Sequence, residues 1–184
     1  MKKNQQSWEI AFCGVSAALS VALMLLGAVI PIAMFIAPAA AGILIAVLQV
    51  ECGTRLAVTA YGAVSLLGLL FVPDKEVPLI FAVLLGYYPL VKPWFDRVRP
   101  AFFRGVCKLL LCNGAVLVMY GFLLVLFPAA EMSAEAMWGA LVLSGITLAI
   151  GNVAFLLYDK ALVNLMRAYK LLWQPRLHRM LGRH

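Results

Sequence analysis

Long apolar runs, interrupted at short intervals by proline, glycine and charge, constrain this chain more than any other feature. Several runs reach the roughly 18–20 residues that a helix needs to cross a ~30 Å hydrocarbon core. Of 184 residues, 65% are hydrophobic and 12% are charged, about half the charged share of a soluble domain. The expected fold class is therefore all-α, an integral membrane bundle, with little room for a separate soluble domain. The start, "MKKNQQSWEIAF", is basic and then apolar like a signal peptide. Its apolar stretch runs too long and leads directly into another span, which predicts an uncleaved first helix.

The punctuation marks six predicted transmembrane helices. They cover residues 8–30, ending at Pro31; 32–50; 54–72, ending at "VPDKEVP"; 77–92, ending at "KPWFDRVRP"; 104–127; and 134–158. The fourth is short, about 24 Å at 1.5 Å per residue, so Lys92 is expected to snorkel to water. Residues 1–158 then form the six-helix transmembrane domain, and 159–184 a basic, amphipathic, helical cytoplasmic tail. In "DKALVNLMRAYKLLWQP" Lys160, Asn164, Arg167, Lys170 and Gln174 lie near one face and apolar residues cover much of the rest. That pattern suits an interfacial helix or a continuation of the sixth span.

Charge sets the orientation. With six spans both termini share a side with the 51–55 and 92–104 connections, and that side collects every basic residue of the 15 except Lys75. Asp74, Glu76, Glu131 and Glu135 fall opposite. The positive-inside rule makes the basic side cytoplasmic. It also accounts for a pI of about 9.5 without nucleic acid as a partner; the partner of this charge is the bilayer, anionic lipid included.

Glu51, four residues before Arg55, admits two readings. Either it surfaces at the end of the second span, paired with Arg55 across a turn at Gly53, or it is a buried carboxylate serving a proton or cation. The turn reading fits Arg55 and Gly53. Enzyme chemistry finds no support. The two histidines, His178 and His184, lie beyond Pro175, and the spans are read as carrying no His, Asp or Glu at their centres. Serines in the spans have no base beside them, and no phosphate-binding, dinucleotide or zinc motif occurs. Catalytic residues, metal ligands and cofactors are all expected to be none. The four cysteines form no C-x-x-C pair and read as buried thiols.

Small and polar residues remain. Gly14, Ala18 and Ala22 recur every four residues in the first span, and Ala33, Ala37 and Ala41 in the second. Such stripes let helix backbones approach closely, either within the bundle or against a partner. Asn113 and Asn152 are expected to face the interior as structural polar residues, like the Glu51–Arg55 turn, and to bond across helices. Tyr87 and Tyr88 read as an aromatic belt, as does Trp138 on the other side.

Six helices, both termini inside, and a first helix reading "AALSVALMLLGAVIP" resemble the substrate-binding S components of bacterial energy-coupling factor (ECF) transporters. In that family an A-x-x-x-A element of the first helix contacts the transmembrane coupling subunit; Ala18 and Ala22 match it, preceded by Gly14. The resemblance implies a bacterial cytoplasmic membrane protein that binds a vitamin-like small molecule and works with a coupling subunit and ATPase subunits. Spans 3–6 would line the cavity, with Tyr61, Ser65, Tyr120, Trp138 and Ser144 as candidate substrate contacts. A non-transporting membrane scaffold would use the same small-residue face and basic tail.

Overall fold

The computed structural model describes residues 2–30, 32–95, 101–126 and 134–174, without the side chains of 2–6, 101–102, 120, 122–126, 134–144 and 146–147. The elements are helical throughout: α1 Lys2–Val29, α2 Ala33–Glu51, α3 Thr54–Phe71, α4 Glu76–Ile80, α5 Tyr88–Phe95, α6 Ala101–Leu126 and α7 Ala134–Ala168, with π-helical stretches at Phe81–Leu85 and Tyr169–Trp173. Among the described residues five segments are long and apolar enough to cross a membrane, namely Ser7–Val29, Ala33–Glu51, Thr54–Phe71, Glu76–Phe95 and Leu148–Trp173. With the 26-residue α6 they make an all-α membrane bundle, and the chain is a multi-pass membrane protein.

The span ends follow local chemistry. α2 stops at a turn where Gly53 takes φ +85°, a left-handed conformation that costs glycine little and most residues much. At the opposite end of α3 the Lys75 ammonium donates to the carbonyls of Leu69 and Val72, both at 2.9 Å, satisfying oxygens that a helix terminus leaves bare. The Glu76 N–H then bonds the Asp74 carboxylate at 3.1 Å, and the next helix begins.

α2 is the central wall. On one side, Ile45 and Leu48 join Met24, Ala57, Val64 and Phe81 in a core shared with α1 and α3. On the other, Ala46 joins Leu85, Tyr88, Cys112, Phe155, Tyr158 and Leu162. The stripe Ala33–Ala37–Ala41 is spent inside the bundle: Ala37 and Ala41 are buried, and a methyl on Gly27 of α1 would meet the Ala37 side chain at 2.5 Å. The Gly14–Ala18–Ala22 stripe of α1 is exposed along its length, and a methyl on Gly14 would meet nothing within 4 Å.

α7 passes residue 158 without a break. Of the two forms expected for the stretch after residue 158, the helix takes the continuation of the sixth span, and Tyr158 and Leu162 are both core residues. The reason is the apolar face of residues 155, 158 and 162, whose helical spacing carries the packed surface on past Asp159.

Candidate functional site

The fourth span, Glu76–Phe95, is irregular at its middle. Pro89 has no N–H, so the Leu85 carbonyl loses its helical partner. One turn earlier the Gly86 N–H bonds Phe81 at 2.7 Å rather than Ala82, the i→i−5 pattern of a π-bulge, which frees the Ala82 carbonyl as well. In a bilayer these oxygens must be met from inside the protein, and a tyrosine meets each. The Tyr61 hydroxyl of α3 donates to Ala82 at 2.5 Å, and the Tyr158 hydroxyl of α7 donates to Leu85 at 3.1 Å. Gly42 of α2 makes room: a methyl there would lie 2.5 Å from the Tyr158 hydroxyl and 2.6 Å from the Leu85 oxygen.

Below this break lies a cluster of charge. The Asp159 carboxylate of α7 accepts from three donors. One oxygen takes the Tyr88 hydroxyl at 2.5 Å and the Lys92 ammonium, both from α5. The other takes the Lys108 ammonium of α6 at 2.7 Å. The side chains of Lys92, Lys108 and Asp159 are 11%, 8% and 16% exposed. The Tyr88 ring packs edge-on against Phe155 at 4.8 Å, and the Lys92 ammonium sits 5.3 Å above the Tyr88 ring, within cation–π range.

Its depth follows from α2. Gly42, the midpoint of α2, touches the Tyr158 hydroxyl, and Glu51, at the end of α2, accepts from the Tyr169 hydroxyl at 3.1 Å. Asp159 and Tyr169 are ten residues apart, about 15 Å along a helix. Asp159 is the twelfth of the 26 residues of the apolar segment Leu148–Trp173, and Lys92, near the end of α5, and Lys108, early in α6, reach in to it. The expectation that no span carries an acid at its centre is corrected here, and so is the expectation that Lys92 snorkels to water. Lys108 is likewise drawn inside. A charge held at this depth is costly unless paired, and intramembrane ionisable groups mark functional sites by default.

Other expectations land differently. Glu51 is buried at the α2 terminus, where it accepts from Tyr169; Arg55 is exposed at the second residue of α3. Asn113 and Asn152 do bond across α6 and α7, the Asn152 Nδ2 donating to the Asn113 Oδ1 at 3.1 Å. Tyr61 and Ser65 share a face of α3, with the Tyr61 hydroxyl committed to the backbone, while the Ser65 oxygen and the Asn152 carbonyl oxygen are buried without a hydrogen-bond partner among the described residues. The side chains of Tyr120, Trp138 and Ser144 lie outside the described residues. Tyr88 belongs to the core rather than to an aromatic belt, being 0% exposed.

Sequence reasoning missed Asp159, Tyr88 and Tyr158. The signal was present in the spacing: residues 155, 158, 159 and 162 share one helical face, so the carboxylate belongs to the packed surface, and Lys160 beside it points outward. Among the described residues no three His, Cys, Asp or Glu gather as a metal site. Comparison with protein-family models, curated proteins and solved structures finds no match to this chain.

Proposed function

We propose that the chain is the substrate-binding subunit of a bacterial small-molecule uptake transporter, similar to an ECF S component and driven by an ATP-hydrolysing partner module. In this reading both termini are cytoplasmic, the exposed face of α1 docks a transmembrane coupling subunit, and the ligand enters among α3–α7. The observation that carries it is the contrast between the two small-residue stripes. The α2 stripe is consumed by packing on α1, whereas Gly14, Ala18 and Ala22 are left facing outward, where close backbone approach by another membrane helix is open. The broken fourth span, with polar groups inside the bundle, adds support for solute handling, since transporter sites sit at such breaks.

The test is the double substitution Ala18→Leu with Ala22→Leu, purified together with its cellular partners. The added bulk is expected to abolish co-purification of an ATPase-containing complex and leave the isolated protein folded, because both positions are exposed. Retention of that complex would remove the docking face from the proposal. An intact protein that never carries ATPase subunits, with or without the substitutions, would favour the scaffold reading.

A further inference from the structure

The lower half of the fourth span is joined to the upper half by little backbone hydrogen bonding. Pro89 removes one rung, the π-bulge displaces another, and the freed oxygens are bonded by tyrosines of other helices. Directional contacts tie α5 to one face of α7: Tyr88 to Phe155 and Asp159, and Lys92 to Asp159. Its remaining packing, through Pro89 and Leu90, is apolar. A helix piece weakly joined to the rest of its span, packed on α2 and tied to α7 at a carboxylate, has the construction of a latch.

We propose that Asp159 is the keeper of an intramembrane latch, and that α5 swings as one piece about the Gly86–Tyr87 joint when Asp159 lets go. Two features distinguish this from static reinforcement. Buried ion pairs stabilise little relative to apolar packing of the same volume, so a bundle that only needed holding together would do as well with leucines here. And hydrogen-bond geometry at one carboxylate is lost over a short displacement, while packed helix interfaces switch between discrete arrangements rather than deforming gradually. A shift of α7 along its axis would withdraw the Asp159 carboxylate and the Phe155 edge together, since both lie on one face of that helix. Lys108, from α6, holds the other carboxylate oxygen, so α6 registers the same event. The inference does not depend on the transport reading.

The experiment measures the distance between α5 and α7 in the full-length protein in lipid nanodiscs. Spin labels are placed at Trp94→Cys and Leu165→Cys, both exposed positions, with the four native cysteines replaced. A control pair, Val15→Cys and Val58→Cys, reports on α1 and α3. Asp159→Asn is expected to lengthen and broaden the α5–α7 distance by about one helical turn, ~5 Å, with the control pair unmoved. The charge-free triple Lys92→Met, Lys108→Met, Asp159→Asn is expected to do the same, and it is read if the single variant does not fold because two ammoniums are left behind. An unchanged α5–α7 distance in the folded variant overturns the latch, as does an equal shift in the control pair. Failure of the charge-free triple to fold overturns it too, because the cluster would then be a requirement of folding rather than a releasable contact.

Discussion

The two halves of the bundle are held by different physics. α1, α2 and α3 meet mainly through alanine, glycine and aliphatic side chains around Met24, Ala41, Ile45, Ala57 and Val64, with long thiol bonds from Cys13 to the Leu56 carbonyl at 3.8 Å and from Cys52 to the Glu9 carbonyl at 3.9 Å. The half built from the fourth span, α6 and α7 is held by tyrosine hydroxyls on bare carbonyls, by the Asn113–Asn152 bond and by Asp159 with its two lysines. In a bilayer, apolar association has no hydrophobic drive, so helices associate by close packing or by polar bonds. This chain divides the two strategies between its halves. Close packing suits a part that stays put, and directional bonds suit a part that has to part cleanly.

The comparison can be broken most forcefully at Asp159. Asp159→Asn should destabilise the detergent-solubilised protein by about 3–5 kcal/mol, the usual cost of stripping one partner from a buried pair. The triple Lys92→Met, Lys108→Met, Asp159→Asn should recover most of that in a thermal melt. A single variant as stable as the parent would mean that water reaches the cluster.

A smaller effect is expected at glycine. Gly42→Ala drives a methyl into the Leu85 carbonyl and the Tyr158 hydroxyl and should cost about 1–3 kcal/mol, as overpacking does. Gly14→Ala, on the open stripe, should stay within about 0.5 kcal/mol of the parent. Equal melting temperatures for the two variants would erase the distinction between a spent face and an open one.

The smallest effect concerns the bundle end. Tyr169→Phe should cost about 1.5 kcal/mol, the low end for a hydrogen bond to a charged group. Arg55→Gln should be close to neutral, since Arg55 is exposed and the carboxylate of Glu51 is met by Tyr169. If Arg55→Gln proves the more damaging of the two, the pairing first read across the turn is the one that matters.

Much of the architecture was legible in the chain. The expected spans 8–30, 32–50, 54–72 and 104–127 lie within three residues of Ser7–Val29, α2, α3 and α6, because Pro31, Gly53 and Pro73 act locally and a run of apolar residues needs no tertiary knowledge to be seen. The cross-helix bond of Asn113 and Asn152 was also legible, since asparagine in hydrocarbon has few alternatives. The charge cluster was not. Hydropathy treats a lysine or an aspartate as the place where a helix leaves the membrane, and that holds for an isolated charge. Lys92, Lys108 and Asp159 are separated by 67 and 51 residues, and only folding brings them into mutual neutralisation. The same blindness hid Tyr61 and Tyr158, whose hydroxyls answer a defect in another helix. For the small-residue stripes, sequence supplied the candidates, and the exposure of each face distinguished them.

The caps on the broken span also set an order of assembly. Tyr61 precedes the carbonyl it meets by 21 residues, whereas Tyr158 follows the Leu85 carbonyl by 73. At about 5–20 residues per second of synthesis, the first cap is already made when the fourth span emerges, and the second arrives some 4–15 s later. Through that interval Lys92 waits for Asp159 as well. A nascent chain stalled between residues 95 and 158 therefore carries a half-capped helix and a lysine without its carboxylate, a form that membrane quality control could tell from the finished protein by its charge alone.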